Sequence, residues 1–287
     1  MEKRMIKFGN SSLALIVPKK WVERNGLTPS DSVNVLENSN GDLVISSREE
    51  PVKEREELIG SDIGIDAVKR LVGLHYMFGT TKLRLYFREG IGKTMEHGIN
   101  DMVKEECPGF EIISHSDDDV VIEDFNNVRD VDLWKILSRI RLIIGQEFDD
   151  VRKNDVKALQ DSENLVNRFY MLGVRRLNTL GTEDSTRYFV LFQMLEMISD
   201  NLCLMCRDGA FGNVGMLAKL EEQFNLCFSG LDGNSDAVRK AIAIRDAIFD
   251  SAHSLRIDKL RMHAVQEITN EISRISEFGL YLKPRHP

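Results

Sequence analysis

The chain has only four cysteines, Cys107, Cys203, Cys206 and Cys227, and their spacing forms no disulfide framework, so free thiols are expected. Cys203-x-x-Cys206 lacks the second ligand pair that a structural zinc site needs. No stretch approaches the roughly eighteen uninterrupted apolar residues of a membrane span. Nothing resembling a signal peptide precedes the first strand, so a cytoplasmic protein with no membrane insertion is expected. A histidine cluster, a nucleophile motif and a Gly-rich phosphate loop are also missing, and with them the common signatures of hydrolytic and nucleotide chemistry. No enzyme is expected. His75, His97 and His115 show no regular ligand spacing and read as core or surface residues.

What is present is an ordinary globular composition, 42% hydrophobic and 29% charged, over 287 residues, enough for more than one domain. The organising stretch is Lys7 to Lys20. It reads as a strand, a Gly-Asn-Ser-Ser turn and a second strand, Leu13 to Val17, stopped by Pro18. Trp21, Val22, Asn25-Gly26 and Leu27 fit a short amphipathic helix with a glycine stop. Ser32 to Leu36 and Asp42 to Ser46 read as strands joined by Asn38-Ser39-Asn40-Gly41. A piece this small has no room for a core of its own, so a homodimer formed through it is expected.

Six basic residues, Lys3, Arg4, Lys7, Lys19, Lys20 and Arg24, face only Glu2 and Glu23 within residues 1–24, a balance of +4; with −8 overall, the remainder carries −12. The order of strand, Gly-x-Ser turn, apolar strand into Pro-Lys, short helix, Gly26-Leu27, Pro29-Ser30-Asp31 and Asn-Gly hairpin resembles the AbrB/SpoVT/MazE swapped-hairpin DNA-binding domains. The resemblance spans residues 3–47, within a domain set at 1–48. It implies a dimeric β-barrel of interleaved hairpins that presents those six basic residues to DNA, with phosphate neutralisation supplying much of the affinity.

Residues 49–57 are dense in charge and read as a linker, and 58–125 as a small α+β domain. In it, Ala67–Phe78 and Thr94–Glu105 have helical spacing, Lys82–Phe87 alternates as a strand, and two strands flank Ser116-Asp117-Asp118-Asp119. Six amphipathic runs follow: Val131–Asp149, Asp155–Leu180, Thr186–Arg207, Asn213–Phe228, Ser235–His253 and Arg256–Phe278. They divide into two trios. In the third run Leu191, Met194, Leu195, Ile198, Leu202 and Met205 form a core stripe, and Glu196, Asp200, Cys203 and Arg207 line up opposite it. Carboxylates one turn apart can share a hard divalent cation, and Asp246 with Asp250, Glu267 with Glu271, and Glu163 with Asn167 repeat the spacing.

The runs Asp161–Leu172 and Leu195–Asp200 resemble the helix signatures of PhoU proteins, regulators of phosphate uptake, over residues 128–282. That resemblance implies two three-helix bundles with surface metal clusters. Glu196 and Asp200, and Asp246 and Asp250, match the acidic motif fully. Glu163 has Asn167 in place of its second acid, Glu267 has the longer Glu271, and Asn201 stands where the family commonly has histidine. One better site and one degraded site are expected, of a metal whose identity stays open: oxygen ligands suit magnesium, calcium or manganese and also admit iron or zinc. The three pieces together resemble an archaeal-type PhoU-like regulator with an AbrB-type head. The multidomain α+β reading is therefore a DNA-binding regulator of phosphate homeostasis. Its alternative is an adaptor that acts on a phosphate transporter or kinase without binding DNA.

Overall fold

The computed structural model describes residues 4–9, 12–37, 43–47, 53–125, 131–180, 185–252 and 257–281. The chain forms two compact units, Met1–Val52 and Lys53–Pro287.

In the first unit β1 (Ile6–Phe8) pairs antiparallel with β2 (Ser12–Ala14), with Lys7 opposite Leu13. Gly9 sits at φ +66°, a value glycine adopts without strain. Leu15 to Val17 lie outside β2, so the second strand is shorter than its apolar run. Pro18 caps α1 (Lys19–Arg24), its carbonyl accepting from the Trp21 and Val22 N–H groups. The helix ends in a Schellman turn: Gly26, at φ +63°, donates to the Glu23 carbonyl and Leu27 donates to that of Val22. Asp31 accepts from both the N–H and the hydroxyl of Thr28, at 2.6 and 3.0 Å. β3 (Asn34–Glu37) and β4 (Leu43–Ser46) form a second antiparallel pair, separate from the first. Their connecting turn, residues 38–42, lies outside the described residues.

The second unit opens with β5 (Glu54–Ile59), in a segment whose charge density reads as linker. This corrects the 49–57 assignment in its second half, while residues 49–52 lie outside the described residues. β5 pairs in parallel with β6 (Lys82–Phe87), setting Glu54 beside Lys82 and Glu56 beside Arg84. On a solvated sheet face, opposite charges across strands stabilise what composition alone marks as loop. α2 (Ile65–Met77) makes the crossover. α3 (Lys93–Glu106), β7 (Phe110–His115) and β8 (Asp119–Asp124) complete a sheet of order β5-β6-β8-β7. Leu83, Leu85, Phe87, Val120 and Ile122 join Val68, Val72, Tyr76 and Ile99 of the two helices in one core.

Six helices follow: α4 (Leu133–Lys153), α5 (Val156–Leu180), α6 (Ser185–Cys206), α7 (Val214–Leu231), α8 (Ser235–Ala252) and α9 (Lys259–Tyr281). α4, α5 and α6 pack mutually, as do α7, α8 and α9, and the halves meet mainly through α6 against α9. A Cβ at Gly279 would lie 1.7 Å from the Gly230 carbonyl oxygen, so only glycine allows α9 to cross α7 there. α6 is long and apolar enough to cross a membrane by length and composition, and it packs against α4, α5 and α9. Its apolarity on several sides suits a helix at the centre of a packed layer.

The middle sheet and the helices share one body, because α2 and α3 both rest on α5 and Met171 belongs to the middle core. Arg175 of α5, 2% exposed, fixes that joint. Its guanidinium donates to the Tyr76 and Thr80 carbonyls at 2.5 and 3.1 Å, pairs with Asp124, and stacks 4.7 Å above the Tyr76 ring.

Candidate nucleic-acid interface and acidic helix faces

Every basic residue of the described head is exposed: Arg4, Lys7, Lys19, Lys20 and Arg24. Lys3 lies outside the described residues. β1 sets Lys7 on the face opposite Ile6 and Phe8. Lys19, Lys20 and Arg24 belong to α1, where Lys19 lies 3.5 Å from Glu23, a solvent-exposed pair that leaves the ammonium accessible.

The apolar residues of the head are exposed as well. Phe8 is 72% exposed, Leu13 66%, Leu43 60%, Met5 57% and Ile16 56%, and among the residues of this unit whose side chains the structure describes none is buried. Exposed apolar side chains on this scale, in two separate strand pairs, are the kind of surface that marks an interaction site.

The acidic residues of the helices separate into two unlike groups. On α6, Glu196 is half-buried and accepts from the Gln193 amide at 3.0 Å. Burial, then the charges of Asp200 and Glu163, push its carboxyl up to about 7. Asp200 keeps solvent contact as a residue, yet the protein around its carboxyl, and after that Glu163, push it up to about 6. The dominant member is Glu147 of α4, fully buried, with one oxygen held by the Ser199 hydroxyl at 2.6 Å and the other without a hydrogen-bond partner among the described residues. Burial above all pushes it up to about 8; Glu163, Asp150 and Asp200 add to the rise, and the Ser199 bond opposes it. Burial of the Cys203 thiol, with Glu163 next, raises it too.

In the second half Asp246 is paired with Arg245 at 2.9 Å, and Glu271, 2% exposed, with Arg274 at 2.5 Å. The buried polar residue of α7 is Gln223, satisfied by the Ala241 and Thr269 carbonyls and by the Thr269 and Ser273 hydroxyls. Among the described residues, no three His, Cys, Asp or Glu side chains come together as a metal-ligand group.

Residues 6–57 match the family model described as "Antidote-toxin recognition MazE, bacterial antitoxin". The N-terminal domain is MazE/AbrB-like. No curated protein and no solved structure matches the chain significantly. The matched stretch covers nearly the whole described head and runs into β5, and the helices of the second unit lie outside it.

The structure brings Glu163, Glu196 and Asp200 into one electrostatic group and leaves Asp246, Asp250, Glu267 and Glu271 on helices where arginines neutralise part of the charge. Sequence reasoning missed Glu147. Its signal was present, an acid between Ile144 and Phe148 on the buried face of an amphipathic run, where a charged residue is unexpected without a partner.

Proposed function

We propose that the protein is a cytoplasmic, non-enzymatic, dimeric DNA-binding regulator whose MazE/AbrB-like head is coupled to a PhoU-like helical body with a role in phosphate homeostasis. The observation that carries this reading is the head itself. Its apolar side chains stand exposed in one chain, as a module completed by a second copy requires, and its basic side chains are accessible at the surface. The concentration of positive charge in residues 1–24 of a chain with net charge −8 supports nucleic acid as the partner of that surface. The body would act by favouring one arrangement of two heads over another, which requires a ligand with different affinity for the two states. A divalent cation enters this reading best at Glu163, Glu196 and Asp200, where burial and, after it, the neighbouring acids push the Glu196 and Asp200 carboxyls up, a cost that a bound cation would offset. In the second half Arg245 pairs with Asp246 and Arg274 with Glu271, so part of the charge that a cation would meet there is already neutralised.

The test is fluorescence anisotropy of labelled duplex DNA titrated with the full chain across a salt series. Affinity should fall steeply with salt and drop by roughly tenfold or more when Lys7, Lys19 and Lys20 are changed together to alanine. The description of the matched family as an antitoxin that recognises a toxin favours a second reading, a head that engages a protein. Absence of DNA binding at low salt with a dimer intact would select it.

A further inference from the structure

Among the described residues, one face of α4 carries no covering helix. Trp134, Ser138, Arg141, Leu142, Gly145 and Asp149 recur along it at helical steps and, with Phe224 and Phe228 of α7, line a groove of about 530 Å³. Trp134 is 46% exposed and Leu142 65%, both large apolar side chains on a face that no described residue buries. The Arg141 guanidinium lies over the Phe228 ring at 4.5 Å, covering one wall while keeping its charge at the rim. At the middle of the groove, a Cβ on Gly145 would meet nothing within 4 Å.

We infer that this groove receives α4 of a second copy of this chain, lying antiparallel. Two observations select that occupant. The face is complementary to itself: a two-fold axis between Arg141 and Leu142 sets Trp134 opposite Asp149, an indole N–H donor against a carboxylate that has one oxygen on Arg152 and a second to offer, and Ser138 opposite Gly145, two small residues that allow close approach. The same axis sets each exposed Leu142 opposite Arg141 of the copy, the leucine against the aliphatic stem of an arginine whose guanidinium lies over Phe228, and leaves the two Leu142 side chains one helical step apart at the centre. Independently, the head lacks a core without a second copy, so two bodies are tethered at an effective concentration of roughly millimolar, enough for a modest two-fold contact to form. The second argument rests on the proposed dimeric head, and the first does not.

The test uses the full chain carrying Leu142→Cys, an exposed change, treated with a short bis-maleimide. Beside it stand Lys240→Cys on α8 as an exposed control and the unaltered chain for the native thiols. Cross-linked dimer should form roughly tenfold faster or more in the Leu142→Cys chain than in either control. Adding Gly145→Leu, which the single chain has space to accept, should abolish that advantage by blocking the close approach. Sedimentation velocity on the unaltered chain separates the outcomes. A dimer whose Leu142→Cys variant cross-links no faster than its Lys240→Cys variant overturns the inference and leaves the dimeric head standing, with another protein as the occupant of the groove. Rapid cross-linking of the Leu142→Cys variant of a chain that sediments as a monomer keeps the groove contact and sinks the dimeric head. Cross-linking that survives Gly145→Leu overturns the antiparallel register.

Discussion

In α4 the polar side chain buried inside the three-helix layer and bonded to a neighbouring helix is Glu147, and in α7 it is Gln223. Both meet hydroxyls from the third helix of their own half, Ser199 in one case and Thr269 and Ser273 in the other. The amide has both kinds of atom satisfied, whereas the carboxyl has one oxygen unpartnered and three acids acting on it. A buried polar group that is fully paired fixes packing at little cost, and an ionisable one left half-paired must hold its proton, which costs stability at any pH where the unfolded chain would release it. The halves differ in a second way: α5 of the first carries the middle domain through Arg175, and the second half carries no further domain among the described residues. One half is an internally closed support. The other is loaded, titratable and joined to its neighbour.

The largest effect is expected where the loaded half meets the middle domain. Arg175→Met takes away the buried guanidinium that pairs with Asp124 and should cost about 3–4 kcal/mol in urea unfolding; a loss under about 1 kcal/mol would show that packing of α2 and α3 on α5 alone holds the joint. Next comes Gln223→Ala, which opens a cavity and strands the Thr269 hydroxyl and the carbonyls around it, for about 3 kcal/mol. If it costs no more than an exposed substitution, the second half is not the closed support described above.

Glu147→Gln should act in the opposite direction. Its folded value of about 8 lies above the ordinary 4.5, so the folded chain holds this proton more tightly than the unfolded chain does. The stability it lends is complete below about 4.5 and is lost as pH rises to about 8. Replacement should therefore stabilise by about 2 kcal/mol at neutral pH and do little in acid. Unfolding midpoints across pH would show a flatter profile, with the slope that remains coming from Glu196 and Asp200; an unchanged profile would put Glu147 out of play. The smallest effect belongs to Arg245→Ala, an exposed pair with Asp246, expected within about 0.5 kcal/mol by the same measurement.

Much of the architecture was legible. The six helices begin and end close to the stops that turn residues mark, and Lys82–Phe87 alternates in sequence as it does in burial. The head was legible as a module without a core because its length bounds what it can bury. β5 was hidden, since Glu54 and Glu56 read as linker until Lys82 and Arg84 stand beside them. The acidic pairs were visible as spacings on single helices, and spacing says nothing of what surrounds each carboxyl once the chain is folded. Glu147 reaches Ser199, Arg274 reaches Glu271, and Arg245 turns to its own neighbour Asp246.

The sequence by itself determined the periodic elements, the glycine and proline stops and the placement of charge along the chain, because these follow from local sterics and composition. Tertiary structure alone decided which carboxyls are buried together, which are neutralised by arginine, and that the middle domain and the helices form one body. Those outcomes depend on residues far apart in sequence meeting in a medium of low dielectric, where the presence or absence of one partner reverses the sign of an interaction.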